Sequence, residues 1–375
     1  MILEGAVSGA CALLRAGVFA QAIAVAPQSA LETGGPAAAS IGELWNLMLW
    51  LGTAVTVLVL AGLAWAIFRR RPADAQAEAD RPADARGERL NDESGGRGSE
   101  ESGRPRSERI GVRVMVGGGI VFPTIVLGIL LVFVMRTLAA TSLPSHVFAQ
   151  PADPPRPGEL TVLVTGHQFW WEVEYLDADP RLRFETANEL RIPVGRRVVV
   201  RLAAGDVIHS FWVPGLQGKM DNVPGRTNAL WLEASQPGRW RGQCAEYCGV
   251  QHAKMAFVVV AEPAAQWEAW AARQRRPAPE ALDSGARADR ATFLASGCVL
   301  CHAVRGTPAG GDLGPDLTHL ASRLTLAAGT LPNTPGHRYG WVADPQAIKP
   351  GSRMPAVPMS PADLHGVVRY LGTLE

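Results

Sequence analysis

The sequence predicts a multidomain membrane protein with three parts: a two-helix transmembrane hairpin, an all-β domain and a small all-α domain. Two long uncharged apolar runs lie in the first third of the chain. Short alternating segments separated by turn residues follow them, and a C-x-x-C-H motif lies between two helical patterns near the C-terminus. Each of these patterns is typical of a different architecture. A chain of 375 residues is also long enough for several domains.

We expect these parts to follow one another along the chain with linkers between them. The predicted segments are a signal or other N-terminal segment (1–40), the transmembrane hairpin (41–137) with its cytoplasmic loop (69–113), a linker (138–158), the all-β domain (159–262), a second linker (263–285) and the all-α domain (286–375). The formal net charge of +1 gives no reason to expect nucleic acid as a partner.

The hairpin is predicted from the two apolar runs, Leu44 to Phe68 and Val114 to Met135. They contain about 25 and about 22 residues, and about 20 are enough for a helix to cross a bilayer. One such run could be the core helix of a soluble protein, but two in succession favour membrane spans. Arginines at 69–71, 109 and 113 flank the polar connecting loop. The positive-inside rule therefore places that loop in the cytoplasm and both chain ends outside.

The all-β domain is predicted from the change of pattern after Glu159. Turn residues, such as those of 177–180 and 236–238, separate short segments of alternating polarity. This regular spacing predicts a β-sandwich or a Greek-key barrel. The predicted strands are 160–164, 169–175, 197–202, 229–233 and 256–261.

A cluster of metal-ligating side chains lies near the end of this domain. Residues 244–255 read C-A-E-Y-C-G-V-Q-H-A-K-M, and His209 lies upstream in D-V-I-H-S-F-W-V-P. Together they supply two thiolates, two imidazoles and one thioether, a soft ligand set that selects copper or zinc rather than magnesium or calcium. The spacing of the two cysteines allows their thiolates to bridge two copper ions. The cluster therefore predicts a binuclear copper site.

Two other uses of Cys244 and Cys248 have to be weighed, a disulfide bond and half of a structural zinc site. A disulfide explains neither His252 nor Met255 at their spacing. Structural zinc sites favour a second pair of cysteines or histidines and rarely include methionine. The softness and number of the ligands thus favour copper, and Cys11, which stands alone, is assigned no role.

The all-α domain is predicted to carry covalently bound haem. Residues 297–302 read G-C-V-L-C-H, in which Cys298 and Cys301 can bind the haem vinyl groups and His302 the iron. A redox dithiol or half of a zinc site also fits a bare C-x-x-C, but the histidine that follows favours haem. The segment 349–355 resembles the distal loop of class I cytochromes c. Met354 in that loop is therefore preferred as the sixth ligand, and Met359 is the alternative.

Helix signals flank the haem motif. Residues 286–296 contain neither glycine nor proline. Ser360 and Pro361 suit the N-cap and the first position of a last helix. The segment 314–317 resembles the loop that presses on the proximal histidine of class I cytochromes c, where the Pro315 carbonyl would orient the ring. The other histidines of this part are expected on the surface; they are His319, His337 and His365.

Four motifs of the chain together resemble subunit II of a haem–copper cytochrome c oxidase. They are G-H-Q-F-W-W-E-V-E-Y (166–175), D-V-I-H-S-F-W-V-P (206–214), G-L-Q-G-K-M-D-N-V-P-G-R-T-N (215–228) and the cysteine loop (244–255). With the haem motif, they indicate the caa type, in which a class I cytochrome c is fused to the C-terminus of subunit II. The resemblance to subunit II runs from the first membrane segment to about Glu262.

The resemblance implies a cupredoxin-like Greek-key fold and the binuclear copper centre called CuA. The loop 244–255 would join the last two strands, and the remaining histidine would come from another loop at the same end. Glu246 would also bind a magnesium ion at the interface with subunit I. The implied copper ligands are the side chains of His209, Cys244, Cys248, His252 and Met255 and the backbone carbonyl of Glu246.

The resemblance further implies an electron-transfer subunit. An external donor, such as a cytochrome c or the bc complex, would reduce haem c, and electrons would pass to CuA and then to haem a of subunit I. Oxygen reduction coupled to proton pumping would occur at the haem–copper site of subunit I. Phe169 and Trp170 are implied as electron-input or relay residues, although relatives served by a separate cytochrome c carry tryptophan at the place of Phe169.

The implied partners are subunit I, other oxidase subunits, the external donor and the lipid bilayer. The implied location is the bacterial inner membrane, with the copper and haem domains on the periplasmic side. A free-standing, membrane-anchored copper–haem electron carrier is the alternative function, and the hairpin argues against it. A nitrous oxide reductase would need a large propeller domain, and a quinol oxidase subunit would lack Cys244 and Cys248.

Overall fold

The computed structural model describes residues 28–69, 106–143, 155–281 and 283–375 of the chain. They belong to two compact units, one of Glu43–Ala139 and a larger one of Met1–Gly42 with Ala140–Glu375. Most of the predicted N-terminal segment, including Cys11, and residues 70–105 of the predicted cytoplasmic loop lie outside the described residues.

The smaller unit consists of parts of two long apolar helices. The first, α1, comprises Pro36–Arg69. The second is built from α2 (Arg106–Val116), a π-helical turn (Gly117–Val121) and α3 (Phe122–Thr141). Both are long and apolar enough to cross a membrane, so the two predicted spans are present.

The π-helical turn lies directly before Pro123 in the second helix. In a regular α-helix, a proline ring clashes with the carbonyl of the residue four positions earlier. Here the N–H of Phe122 donates to the carbonyl of Gly117, which is the longer hydrogen bond of a π-helix. This local adjustment allows the helix to continue past the proline, as membrane helices commonly do.

The larger unit contains a β domain, a sandwich of two five-stranded sheets. Within residues 155–281, its strands are β1 (Leu160–His167), β2 (Trp170–Leu176), β3 (Phe184–Ala187), β4 (Glu189–Pro193), β5 (Val198–Ala204), β6 (His209–Trp212), β7 (Met220–Asn222), β8 (Asn228–Leu232), β9 (Gly238–Cys244) and β10 (Ala256–Glu262). One sheet has the order β3-β2-β1-β5-β8 and the other β4-β10-β9-β6-β7. Successive strands thus cross between sheets, in the Greek-key manner of a cupredoxin-like fold.

The sandwich is held by side chains that alternate along its strands. Leu160, Val162 and Val164 of β1 are buried, as their alternation predicts. Trp171 of β2 has no exposed surface and contacts the rings of His209 and Phe211 edge-on. Trp171 is therefore a core residue, packed beneath the end of the sandwich that carries the cysteine loop.

Five strands lie where the sequence predicts none: β3, β4, β6, β7 and β9. They are short or carry polar residues, and β7 contains only Met220, Asp221 and Asn222. Their pairing with neighbouring strands, rather than intrinsic β-propensity, accounts for their conformation.

Helix α4 (Ala264–Gln274) follows β10 directly. The sequence assigns this stretch to a linker, but Trp267, Trp270 and Ala271 of α4 lie in the same hydrophobic core as the sheets. The indole N–H of Trp267 also donates to the carbonyl of Arg191 in β4 (3.0 Å). The helix is thus an integral part of the β domain.

The second domain of the larger unit is helical. Its helices are α5 (Ser284–Ala295), α6 (Pro335–Ala343), α7 (Pro345–Ile348) and α8 (Pro361–Thr373). The hydroxyl of Ser360 accepts a hydrogen bond from the N–H of Asp363 (3.1 Å), so the predicted N-cap is confirmed. Phe293 and Tyr370 pack α5 against α8, with ring centroids 5.1 Å apart.

His319 is buried, whereas its sequence context predicts a surface position. Its side chain lies between two backbone carbonyls, that of Glu375 (2.6 Å) and that of Arg276 (3.1 Å). The prediction was wrong because it rested on polarity, and the meeting of three distant segments leaves no local sequence pattern. His337 and His365 are exposed, as predicted.

Candidate copper and haem sites

The candidate copper site lies where β9 passes into β10. Cys244 is the last residue of β9, and Met255 immediately precedes β10. The N–H of Cys244 donates to the carbonyl of Met255 (2.9 Å), which holds the two ends of the loop together. The loop 244–255 thus joins the last two strands of the domain, as predicted.

His209 is the first residue of β6, whereas the resemblance implied a loop residue. Strand β6 pairs with β9 so that Phe211 lies opposite Cys244. This pairing brings His209 beside the cysteine loop, where its side chain is completely buried. Strand β6 could not be predicted from the sequence, because it is too short to be recognised by its pattern.

The thiols and imidazoles of the candidate site are close neighbours. The sulfur atoms of Cys244 and Cys248 are 3.9 Å apart. The Nδ1 atom of His209 lies 3.8 Å from the sulfur of Cys244. The Nδ1 atom of His252 lies 3.6 Å from the sulfur of Cys248. Each cysteine therefore has its own histidine.

Met255 and Glu246 complete the group. The thioether of Met255 lies 3.8 Å from the sulfur of Cys248, and the carbonyl oxygen of Glu246 lies 3.1 Å from the sulfur of Cys244. The structure thus brings together all the residues that the sequence predicts as copper ligands. The side chain of Glu246 is exposed, and its role towards magnesium stays a prediction.

The donor set fits copper better than the alternatives. A disulfide needs sulfur atoms about 2.05 Å apart, whereas Cys244 and Cys248 are free thiols separated by 3.9 Å. A structural zinc site takes four ligands and would leave the thioether of Met255 unused. Two thiolates with two imidazoles and one thioether match copper. Both cysteines and the methionine are also buried, which keeps water away.

Asp206 orients His209 from the side away from the cysteines. Its Oδ1 atom lies 2.9 Å from Nε2 of His209, so Nε2 keeps its proton and Nδ1 is left for a metal. Burial would raise the pKa of Asp206, but hydrogen bonds from His209, Gln168 and Val207 outweigh it and lower that pKa. Burial likewise opposes protonation of His209, but hydrogen bonds with Cys244 and Asp206 raise its pKa.

A hydrogen bond between the two thiols makes their pKa values differ. It lowers the pKa of Cys244 and raises the pKa of Cys248. Without a metal, the pair therefore carries one negative charge more readily than two. Thiolates are the metal-binding form of cysteine, so binding of a cation releases the remaining proton.

The candidate haem site is a cavity of about 380 Å³ in the helical domain. Cys298, Cys301 and His302 line it, and so does Met354. Met359 does not line the cavity; its sulfur lies 3.9 Å from the hydroxyl of Ser296. The cavity therefore favours Met354 over Met359 as the sixth iron ligand.

The ring of His302 is fixed on its far side. Its Nδ1 atom lies 2.8 Å from the carbonyl of Pro315, which is the predicted hydrogen bond and leaves Nε2 for iron. Burial lowers the pKa of His302, which favours the neutral, metal-binding imidazole. Gly314 packs on the same ring, and a Cβ atom there would lie 2.6 Å from Cε1 of His302. This close approach requires glycine.

Residues of the β domain complete the wall of the haem cavity. Phe169 and Trp170 both line it, together with Gln168 and Asn188. Phe169 is buried, and Trp170 is half-buried with its ring stacked on His167. Gln168 was not among the predicted site residues, and its place in the G-H-Q motif is the sequence feature that could have indicated it.

Hydrogen bonds around this cavity join the two domains. Lys349 is buried, and its amine donates to the carbonyl oxygens of Phe169 (2.7 Å) and Ala327 (3.1 Å). Asp206 of the β domain forms an ion pair with Arg353 of the helical domain (3.2 Å). Among the described residues, further hydrogen bonds across the contact are Gln251 Nε2 to Pro350 O (2.7 Å), Lys254 Nζ to Ile348 O (2.6 Å), Arg305 Nη2 to Gln274 O (2.7 Å), Leu324 N to Glu189 Oε2 (2.9 Å) and Ala256 N to Ala328 O (3.0 Å).

The fold and the two sites define a membrane protein with a cupredoxin-like metal domain and a cytochrome c-like domain. Residues 160–262 match the family described as cytochrome c oxidase subunit II, periplasmic domain, and residues 289–375 match cytochrome c. Cytochrome c oxidase subunit 2 of Alkalihalophilus pseudofirmus is 39% identical over 250 residues, which cover 66% of this chain and 70% of the relative. That of Bacillus sp. (strain PS3) is 31% identical over 268 residues, 68% of this chain and 74% of the relative.

The periplasmic domain of subunit II of cytochrome oxidase (CoxB) of Bradyrhizobium japonicum is a similar solved structure. It is 29% identical, covers 33% of this chain and 97% of its own, and has a TM-score of 0.30. By its relatives and its two family matches, the chain belongs to the cytochrome c oxidase subunit II family, and its fused cytochrome c domain fits the caa type. The family implies copper and the cytochrome c domain implies haem c. The two spans and the match to a periplasmic domain indicate membrane anchoring with periplasmic domains.

Proposed function

We propose that the chain receives electrons from an external donor at haem c and passes them through a CuA centre to haem a of subunit I. Oxygen reduction coupled to proton pumping then takes place in subunit I. One observation supports this route above all. Gln168 lines the haem cavity and donates a hydrogen bond to the carbonyl of Cys248, a proposed copper ligand (2.6 Å). Two sites that share a wall residue need no diffusing carrier between them.

The copper pair is assigned to the end of the β domain. A thiolate-bridged copper pair, when bound, takes up and releases one electron with little change in geometry. The chain contributes rigidity, because the ends of β6 and β9 hold His209 and Cys244, and it excludes water, because His209, Cys244, Cys248 and Met255 are buried. The proposed ligands are His209, Cys244, Cys248, His252, Met255 and the carbonyl of Glu246.

Haem c is assigned to the cavity of the helical domain. Cys298 and Cys301 would hold it covalently, and His302 and Met354 would bind the iron, a pair that raises the potential relative to two histidines. The charge of the cavity fits the two carboxylates of a haem. Arg323, Arg338, Lys349 and Arg353 line it, and the Nε atoms of Arg323 and Arg338 are buried without a hydrogen-bond partner.

The remaining assignments concern the route and the assembly. Phe169 and Trp170 are proposed as relay residues, because both line the haem cavity on the copper side. Glu246 is proposed to bind magnesium at the interface with subunit I, to which its exposed side chain is accessible. The proposed partners are subunit I, other oxidase subunits, an external donor such as a cytochrome c or the bc complex, and the bacterial inner membrane.

Purification of the complex through a tag on this chain tests the proposal. We expect a partner subunit that carries haem a, two coppers in a delocalised pair by electron paramagnetic resonance, and one covalent haem per chain. A matched control, the double variant Cys244→Ser/Cys248→Ser, should keep the partner and the haem and lose the copper signal. Purification of the chain alone with both cofactors would favour the free-standing carrier. Zinc or a single copper would contradict the copper pair.

A further inference from the structure

We propose that Gln168 is the residue that couples the haem cavity to the copper site, as a positioning residue for electron transfer between them. This inference rests on the proposed function and goes beyond it, because it selects one side chain from the wall between the two sites. Gln168 belongs to neither ligand set. It nevertheless lines the haem cavity and hydrogen-bonds to Cys248, a proposed copper ligand.

The side chain of Gln168 spans the wall. It lines the haem cavity, and its amide nitrogen donates to the carbonyl oxygen of Cys248 at 2.6 Å. Gly249, the next residue, is packed against it: a Cβ atom at Gly249 would lie 3.0 Å from the same amide nitrogen. The amide is thus held by a hydrogen bond on one side and by close packing on the other.

The backbone of Gln168 reaches the other half of the copper site. Its N–H donates to Oδ2 of Asp206 (2.7 Å), and Oδ1 of Asp206 holds His209 (2.9 Å). The same carboxylate pairs with Arg353 (3.2 Å), the residue before Met354. Gln168 therefore supports two proposed copper ligands, Cys248 through a direct hydrogen bond and His209 through Asp206.

Phe169 offers a competing route, and its contacts are weaker. Its ring also lines the haem cavity and packs in the same hydrophobic cluster as Cys248, but a phenyl ring cannot donate a hydrogen bond to the copper loop. Electronic coupling decays less through covalent and hydrogen bonds than across a gap between atoms that are only in contact. The path from the amide of Gln168 through the carbonyl of Cys248 to its sulfur contains one hydrogen bond and otherwise covalent bonds.

The step itself transfers a single electron and no atom. Reduced haem c would lose one electron and the oxidised copper pair would gain it, with no proton needed for balance. Gln168 is neither oxidised nor reduced; it sets the coupling and holds the Cys248 carbonyl in place. The external donor supplies the electron, and subunit I removes it for oxygen reduction.

The test compares Gln168→Met with Lys254→Met in the purified oxidase complex. Methionine keeps the length of the glutamine side chain and removes the donor. Lys254→Met removes one hydrogen bond between the same two domains, that to Ile348, and touches neither the haem cavity nor Cys248. The rate of electron transfer from photoreduced haem c to the copper pair is measured, with both reduction potentials and the near-infrared copper absorption as independent readouts.

We expect Gln168→Met to slow this transfer severalfold at unchanged haem potential and intact copper absorption, and Lys254→Met to leave the rate unchanged. Equal rates in Gln168→Met and the parent would overturn the inference while leaving the proposed function in place. If both variants slowed the electron transfer equally, Gln168 would act only by holding the two domains together, and the inference would also be overturned. If the parent complex itself shows no transfer from haem to copper, the proposed function fails. Gln168→Leu serves as a second variant if Gln168→Met does not assemble.

Discussion

The amine of Lys349 donates a hydrogen bond of 2.7 Å to the carbonyl oxygen of Phe169. Lys349 is buried, with only 2% of its surface exposed. The bond joins the helical domain to the residue that precedes β2, and both residues line the haem cavity. Burial lowers the pKa of Lys349 to about 7, so the lysine is held where its charge is costly. Its hydrogen bonds to the carbonyl oxygens of Phe169 and Ala327 therefore hold it in this position.

Replacement of Lys349 by methionine should loosen the contact between the domains. The carbonyls of Phe169 and Ala327 would lose their donor, and a buried unsatisfied polar group costs about 1–3 kcal/mol. Thermal unfolding of the purified chain, followed by the haem signal, should show a lower midpoint. Lys254→Met is the control, because this exposed lysine makes only a surface hydrogen bond to Ile348. Equal midpoints for the two variants would contradict a role of Lys349 in docking.

A Cys248→Ser variant should lose the copper pair and keep haem c. Serine would offer a harder oxygen in place of the thiolate, and two copper ions would then lack one of the two sulfur ligands proposed to bridge them. Metal analysis and electron paramagnetic resonance should show loss of the delocalised signal, whereas the covalent haem spectrum stays unchanged. Ser210→Ala, which alters a buried hydroxyl beside the site, serves as a control for local packing. A delocalised signal that persists in Cys248→Ser would exclude a bridging role.

A Met354→Ala variant should lower the reduction potential of haem c, because methionine ligation raises it. Redox titration measures the potential, and the methionine–iron charge-transfer band should vanish from the oxidised spectrum. Met359→Leu is the matched control, since Met359 lies outside the cavity. The reverse result, in which only Met359→Leu changes the band, would exchange the two assignments.

Glu185 should make stability depend on pH. Burial, reinforced by the negative charges of Glu172 and Asp316, raises its pKa from 4.5 to about 7. Between these values the folded chain holds a proton that the unfolded chain has released, so stability falls as pH rises through this window. Glu185→Gln should remove that loss, about 1–3 kcal/mol above pH 7. Unfolding measured from pH 4.5 to 8 checks the slope, and a Glu268→Gln variant, altered at an exposed position, should retain it.

Trp267→Ala should destabilise the β domain, although the residue lies outside its sheets. Removal of a buried tryptophan typically costs about 3–5 kcal/mol. Chemical unfolding, followed by the copper absorption, should show the loss, whereas the exposed neighbour Glu268→Ala should change stability by less than about 0.5 kcal/mol. If Trp267→Ala unfolds like the parent, helix α4 is a linker after all.

The proposed ligands could be picked out from the sequence because they lie close together along the chain. Cys244, Cys248, His252 and Met255 lie within one loop, and the C-x-x-C-H motif places Cys298, Cys301 and His302 within five residues. The apolar membrane spans are equally local. Strand β6 was missed because its four residues pair with distant strands and have no pattern of their own.

The contact between the domains could not be predicted in the same way. Gln168 and Cys248 are 80 positions apart, and Lys349 and Phe169 are 180 apart. Each of these bonds runs to a backbone carbonyl, so the acceptor's side chain gives no sign of it. Helix α4 was assigned to a linker for a related reason: its apolar face has a partner only once the sheets are in place.

The attachment of helix α4 to the sandwich also limits how far the two domains of the larger unit can move apart. Only residues 276–283 remain to connect the two domains, and about eight residues reach at most about 28 Å when fully extended. Under the proposed function, so short a connection would keep each haem c close to the copper site of its own polypeptide. In a cell that makes both intact and haem-deficient copies, respiration through this enzyme should scale with the intact fraction, since neighbours could not rescue one another.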